Sequence, residues 1–254
     1  MINMDYLTLL NSDPIPIPNV GHIRQPTLKE IVRLGYKNYN QFLYFLCLKK
    51  NSLVSTDQLV SKLNDFEIFF NIPETREMYY NIFSFFMCEF IEISVDYQCY
   101  LIYQHDDHDK NEKPIGYINK DNFDDVRNVI AQTQYIIKVP EFKDTTNISE
   151  HAKKLLEMRD KGRKQSNKKE KNDADYGLAN IVSSLCIYNT VGINLINIWD
   201  YTVFQVYDQY ARLDYKRLVD VGSMNYACWG GDFDISKWNL NLFEQTKQNK
   251  ERMI

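Results

Sequence analysis

Apolar residues recur at three- and four-residue steps along most of the chain, which is the period of helices that bury one face. The clearest start of a helix is the capping box Thr27-Leu-Lys-Glu30, in which each of the two end side chains can accept from the other residue's backbone N–H. We expect Gly35 to end or weaken that helix and Pro73 to occupy the first turn of a later one. The predicted N-terminal helices lie at 27–35, 39–49, from 56 or 57 to just before 73, and from 74 to about 90.

Two stretches of the N-terminal part have patterns that do not predict a helix. Prolines at 14, 16 and 18 impose an extended path on residues 13–26, which predicts an edge strand or an extended arm. From about 89 to 118, apolar and polar residues alternate as in half-buried strands. The predicted strands, at 89–96, 97–103 and 115–118, form a small antiparallel β-meander, and Asp121 is expected to cap the helix after it.

The composition changes at Asn147. Lys and Arg outnumber Asp and Glu over 150–171, so this stretch is interpreted as a charged helix and linker. Helices are predicted to resume at Asp175 and at Trp199, with breaks at Gly222 and Gly230. The sequence therefore predicts an α+β fold that is predominantly α-helical, with helical N- and C-terminal parts around the meander. The predicted boundaries are 1–146 for the N-terminal part, 147–174 for the charged helix and linker, and 175–254 for the C-terminal part.

Composition narrows the class of protein. The 254 residues carry 30 Lys and Arg against 34 Asp and Glu, with 44% hydrophobic residues, which is an ordinary globular balance. That balance excludes collagen-like, disulfide-scaffold and wholly disordered chains, and it argues against nucleic-acid binding through global basic charge. With nine glycines and neither G-x-G-x-x-G nor G-x-x-x-x-G-K-[ST], nucleotide binding has no support. No apolar stretch reaches the roughly 20 residues of a membrane span, and the N-terminal residues lack the basic and apolar regions of a secretory signal.

Two clusters contain residue types that could bind a metal or nucleic acid. The run His105-Asp-Asp-His-Asp109 has side chains suited to Zn, Mn or Fe, but no distant His or Cys motif completes a coordination shell. A solvated hairpin loop is therefore favoured. The basic run 153–171 lacks the interleaved aromatic residues that single-strand binding uses, so a solvated linker is favoured there.

The other candidate catalytic groups have structural interpretations. They are His22, His151, the acid pairs Asp124–Asp125 and Asp232–Asp234, and Cys228 in Cys-Trp-Gly-Gly. No Ser or Cys lies at a recognisable spacing from either histidine, and acids paired within one segment are usually helix caps. All five cysteines are expected to be buried, reduced thiols. We therefore expect a protein that is not an enzyme and binds no cofactor.

Aromatic residues are abundant, with 18 Tyr and 14 Phe, and they concentrate in the predicted helices at 36–48, 78–90 and 199–215. The helix predicted over 199–213 has one apolar face. Core packing is the first interpretation of this face, and a protein–protein surface is the second. The residues expected to bind a partner are Trp199, Val203, Val206, Tyr207, Tyr210 and Leu213.

Two segments resemble tail-region proteins of bacteriophages that infect low-GC Gram-positive bacteria, in particular tail assembly chaperones. The first comprises the extended arm, Ile23-Arg-Gln-Pro-Thr-Leu-Lys-Glu-Ile31 and the run Gly35–Leu43. The second comprises Trp199–Leu213 followed by Cys228-Trp-Gly-Gly-Asp232. A composition rich in Asn, Lys, Ile and Tyr agrees with such a genome. The central meander is outside this resemblance.

The resemblance implies a non-enzymatic protein that coats the tape measure protein, or otherwise helps to build the tail, in the host cytoplasm. Its partners would be other phage tail proteins, and self-association stays open. Two other classes also stay open. One is a virion component of the neck, tail or baseplate, and the other is a metal- or nucleic-acid-associated protein that uses 105–109 or 153–171.

Overall fold

The computed structural model describes residues 2–49, 63–104, 113–136, 177–188 and 192–230. Its helices are α1 (Tyr6–Leu10), α2 (Leu28–Leu34), α3 (Tyr36–Cys47), α4 (Asp65–Asn71), α5 (Pro73–Phe86), α6 (Phe123–Thr133), α7 (Leu178–Tyr188) and α8 (Val203–Trp229). Its strands are β1 (Ile15–Ile17), β2 (Gly21–Ile23), β3 (Phe90–Ser94), β4 (Cys99–Tyr103) and β5 (Gly116–Ile118). Strands β1 and β2 form an antiparallel hairpin, and the other three form an antiparallel sheet in the order β3-β4-β5. The predicted helix-dominated α+β class and the meander are confirmed.

Several boundaries lie where the sequence predicts them. Both hydrogen bonds of the Thr27–Glu30 capping box are present at the start of α2. Gly35 ends α2 with a φ of 91° and leads directly into α3, a backbone conformation that favours glycine. Pro73 occupies the first turn of α5.

Two predicted boundaries in the N-terminal part are wrong. The helix predicted to run through Leu63 towards Pro73 is not continuous, because Leu63 and Asn64 are not helical. Asn64 has extended backbone and forms a capping box with Glu67 at the start of α4. Residues 50–62, which include the predicted start, lie outside the described residues. Asn122, and not Asp121, precedes α6, and its side-chain oxygen accepts from the backbone N–H of Asn119 instead of capping the helix.

The long helix α8 also differs from its prediction. It begins at Val203 because Thr202 and Gln205 form another capping box, and Ile198–Asp200 form a separate 3-10 turn. Gly222 lies within the helix, which continues to Gly230. An internal glycine costs only about 1 kcal/mol relative to alanine, so a single one need not end a helix.

The described parts before and after 137–176 share one hydrophobic core. Buried residues of the β1–β2 hairpin, α2–α6, α7 and α8 belong to a single cluster. Helices α1 and α6 pack against α8, and the 3-10 turn packs against α2. The Asp208 carboxylate, which is buried on α8, accepts from the Tyr6 hydroxyl of α1 and from Arg212, each at 2.8 Å. The whole of the predicted boundary at 147–174 falls outside the described residues, so the division into parts stays a prediction.

Close backbone packing joins the meander to the N-terminal hairpin. The backbone N–H of Tyr117 donates to the carbonyl oxygen of Asn19 at 3.1 Å. A β-carbon at Gly116 would lie 2.4 Å from the carbonyl oxygen of Val20, so only glycine allows this approach.

Arg127, on α6, lies inside a cluster of aromatic rings. Its guanidinium carbon is 5.1 Å from the ring centroid of Phe123, 5.6 Å from that of Phe69 and 5.8 Å from that of Tyr79. Two of these rings, on α4 and α5, stack with their centroids 5.4 Å apart. The rings place their negative faces near a cation that is otherwise shielded from water.

The polar partners of Arg127 connect three helices. Its N–H groups donate to the carbonyl oxygens of Leu46, at 2.8 and 3.2 Å, and of Leu48, which lie at the end of α3. Carboxylate oxygens of Asp124 and Asp65 lie 3.3 and 3.5 Å away. One buried cation therefore holds the end of α3, the start of α4 and the middle of α6 together.

We expect Arg127→Met to lower the free energy of unfolding by about 3–5 kcal/mol, because it leaves the carbonyl groups of Leu46 and Leu48 buried without their donor and removes the buried cation beside Asp65. Chemical denaturation measures this loss. The control is Arg33→Met on the exposed side of α2, for which a change within about 0.5 kcal/mol is expected. Equal losses in the two variants would contradict the central role of Arg127.

Candidate partner-binding site

The six residues predicted to bind a partner occupy different environments. Val203 and Val206 are 1% and 0% exposed, because the start of α8 is covered by neighbouring elements, so they are unavailable to a partner in the folded chain. Trp199 is exposed in the 3-10 turn, and its indole N–H donates to the carbonyl oxygen of Leu195 at 2.8 Å. The other three, Tyr207, Tyr210 and Leu213, are half-buried against the core. The partner-binding role of the set stays a prediction.

Tyr207 is the member of the set that lines a cleft. The cleft has a volume of ≈ 240 Å³ and lies between α3, the end of α6, the start of α7 and α8. Its lining residues are uncharged, and almost half of them are tyrosines. They are Tyr36, Tyr39, Asn40, Leu43, Gln134, Tyr135, Ile136, Leu178 and Tyr207. We call this site the tyrosine cleft.

Helix α3 supplies one wall of the tyrosine cleft. Tyr36 and Tyr39 are three residues apart, so they lie on one face of the helix, and their rings stack with centroids 6.3 Å apart. Tyr39 is buried, and its hydroxyl donates to the side-chain oxygen of Gln134 at 2.8 Å. Tyr36 is exposed at the edge of the cleft.

The opposite wall depends on an unusual backbone conformation. Tyr135 follows the end of α6 with a φ of 62°, in the left-handed region that aromatic residues seldom adopt. Its ring stacks on Tyr207 of α8, with centroids 5.6 Å apart and an angle of 15° between the planes. It also contacts Phe204 of the buried part of α8, with centroids 5.2 Å apart. The turn at Tyr135 thereby joins α6 to α8 through ring contacts.

Burial keeps the phenols of the tyrosine cleft neutral. It raises the pKa of Tyr39 well above its ordinary value, raises the pKa of Tyr207, and raises the pKa of Tyr135 to about 12, with the Asp208 carboxylate adding to the last. The cleft therefore offers ring faces and neutral hydroxyl and amide groups. Such a surface suits an apolar or aromatic side chain of another protein better than a phosphate or a carboxylate.

His22 and Asp124, two of the candidate catalytic groups, have structural contacts. The Nδ1 atom of His22 lies 2.7 Å from a carboxylate oxygen of Glu89, which also accepts from the backbone N–H of His22 at 3.0 Å. Asp124 and Asp125 lie in the first turn of α6, where Asp124 pairs with Arg127. The 105–109 run, His151, the 153–171 run and the pair Asp232–Asp234 lie outside the described residues. Within the described ranges, no three His, Cys, Asp or Glu side chains are grouped to hold a metal ion.

The prediction that all five cysteines are buried is wrong for four of them. Cys99 is buried, Cys47 and Cys186 are half-buried, and Cys88 and Cys228 are exposed. Cys88 lies in the connection after α5, and Cys228 lies near the end of α8, beyond the part of that helix that packs into the core.

Sequence reasoning missed a second apolar surface on α8. After Leu213 the helix continues to Trp229, and four large apolar side chains of this half are exposed besides Tyr226. They are Leu218 (65%), Val221 (59%), Met224 (67%) and Trp229 (87%), and we call them the α8 stripe. Their spacing indicates one face of a helix. The face was not recognised from the sequence because a helix break was expected at Gly222. Tyr36, Tyr39 and Tyr135 of the tyrosine cleft were missed because their neighbours come from distant parts of the chain.

The chain is similar in part to a phage-derived family. The profile of the family described as YomV second domain matches residues 167–242, which is less than half of the chain. This stretch contains α7, the 3-10 turn and α8, and it includes both Tyr207 and the α8 stripe. The match supports a phage protein, and it does not extend to tail assembly or chaperone function.

No curated protein and no solved structure matches the chain. Among the helices of the described ranges, none has both the length and the apolar character needed to cross a membrane.

We expect the free energy of unfolding to fall as the pH rises from 10 to about 12, in part because of Tyr135. Its folded-state pKa of about 12 lies above the ordinary value of 10.0, so the unfolded chain loses this proton first and the stabilisation present below pH 10 is lost. Urea denaturation across this interval should show a smaller fall for Tyr135→Phe than for the unsubstituted protein. Tyr97→Phe, at an exposed tyrosine, is the control, and an equal fall in all three proteins would contradict the assignment.

Proposed function

We propose that this phage protein is a non-enzymatic assembly factor, a tail assembly chaperone that binds the tape measure protein in the host cytoplasm. The observation that carries the proposal is the tyrosine cleft, into which an apolar side chain of the client would insert. The resemblance of the arm and of the Trp199–Leu213 segment to tail assembly chaperones, and the partial similarity to a phage-derived family, support the phage context.

The chemistry of the cleft fits an anchor site for a helical client. Partner surfaces commonly place one apolar side chain of an amphipathic helix in a pocket lined by aromatic residues. Tyrosine supplies a large contact area with little loss of side-chain freedom, and its hydroxyl can accept or donate at the edge of the contact. Stacking already restrains the rings of Tyr36, Tyr135 and Tyr207, so binding need order few side chains.

The test is co-expression with the tape measure protein of the same phage, followed by purification through a tag on the client. We expect Asn40→Trp to reduce the recovered chaperone at least about tenfold, because a bulky ring at this exposed position fills the mouth of the cleft. We expect Tyr207→Ser to act in the same direction, because it removes one wall.

The matched control for these variants is Tyr117→Ser, at an exposed tyrosine on the meander. It should bind like the unsubstituted protein. Thermal unfolding must show that each variant is folded. Undiminished client binding by a folded Asn40→Trp variant would contradict the proposed anchor site. Trp199→Gln tests separately whether the exposed indole of the 3-10 turn belongs to the same surface.

Purified particles distinguish a chaperone from a virion component of the neck, tail or baseplate. A chaperone should be absent from the particles by quantitative mass spectrometry, whereas a structural component would be present in a fixed ratio to the known tail proteins. Stoichiometric recovery from particles would therefore replace the chaperone assignment with a structural one.

A further inference from the structure

Helix α7 lies beside only part of α8. Leu178, at the start of α7, lines the tyrosine cleft together with Tyr207 of α8. At the other end of α7, the guanidinium carbon of Arg217 lies 5.3 Å from the ring centroid of Tyr188. The two helices therefore run side by side in the same direction as far as Arg217. The α8 stripe begins at the next residue.

The exposed half of α8 has the spacing of a two-stranded coiled-coil seam. Leu218, Val221, Asn225 and Cys228 follow one another at steps of three, four and three residues, which is the a–d–a–d order of a heptad. All four are exposed. A single asparagine at an a position is the device by which parallel two-stranded coiled coils fix register, because it pairs with the same asparagine of the other strand.

The residues that flank this seam are apolar as well. In heptad order Met224 takes a g position and Trp229 takes the following e position, and these two positions face each other across a parallel pair. A methionine sulfur beside an indole ring is a favourable contact. This pattern suits a second copy of α8, in which each Met224 meets the Trp229 of the other copy.

Charge and exposure also agree with a second copy. Between 218 and 229 the only charged residue is Asp220, which lies away from the seam at a c position and pairs with Lys216 at 2.6 Å. Pairing therefore brings no like charges together within this stretch. Leu218, Val221, Met224 and Trp229 are each more than half exposed, so pairing with a second copy would remove apolar surface from water.

We infer that the chain forms a parallel two-fold dimer through residues 218–229 of α8. The four seam residues of one copy face the same residues of the other, and Asn225 sets the register. This surface is separate from the tyrosine cleft, so the inferred dimer can be tested without reference to client binding.

The first test measures the mass of the purified full chain by light scattering at micromolar concentration. We expect twice the mass of one chain, and a single-chain mass for Leu218→Glu combined with Val221→Glu. Both positions are exposed, so the substituted chain should keep the far-UV circular dichroism spectrum of the unsubstituted protein. The matched control is Ala227→Glu, at an exposed position outside the seam, which should remain dimeric.

The second test uses Cys228 to read the direction of pairing without disturbing the seam. In a Cys88→Ser background, a short bis-maleimide should link two chains through Cys228, since a parallel pair in register brings these two thiols close together. The product should disappear in Cys88→Ser combined with Cys228→Ser. A dimer by mass that gives no linked product would overturn the parallel pairing.

Two further outcomes would overturn the inference. One is a single-chain mass for the unsubstituted protein. The other is a dimer that survives the glutamate pair in a folded variant.

Discussion

The guanidinium of Arg127 lies where α3, α4 and α6 meet, and the aromatic core is arranged around it. Removing a cation from water costs several kcal/mol unless carboxylates, carbonyl groups and ring faces surround it. Here these partners come from separate helices, so satisfying the charge also fixes how the helices meet. Two of these helices also supply the tyrosine cleft, because α3 begins at Tyr36 and α6 is followed by Tyr135. The cleft therefore depends on the contacts of Arg127, which fix how α3 and α6 lie relative to each other.

The two halves of helix α8, which is about 40 Å long, lie in different surroundings. Its first half is surrounded by the core, where Val203, Phe204 and Val206 are buried and Asp208 holds α1 in place. Its second half extends beyond α7 with apolar side chains exposed. A helix that is anchored firmly at one end can present its other end as a rigid surface, which lowers the entropy lost when a partner binds.

The two candidate surfaces suit different occupants. The tyrosine cleft is concave, uncharged and restrained by ring stacking, which suits one inserted side chain of a client. The exposed half of α8 is a linear seam with heptad spacing, which suits a second helix of equal length. A dimer with one cleft on each copy would engage a long helical client at two points, and two linked weak contacts bind more tightly than either alone.

Local sequence was sufficient for the class of fold and for many boundaries. The Thr27–Glu30 capping box, the turn at Gly35, the start at Pro73 and the alternating strands of the meander depend on neighbours within a few residues, so their chemistry is visible in the sequence. The sequence also indicated that α8 carries an apolar face. It could not indicate which part of that face is buried, because both Val203 and Leu218 are apolar and their exposure depends on which elements lie around them. The burial of Arg127 and the stacking of Tyr135 on Tyr207 likewise join residues far apart in the chain, so only the tertiary structure decided the candidate site.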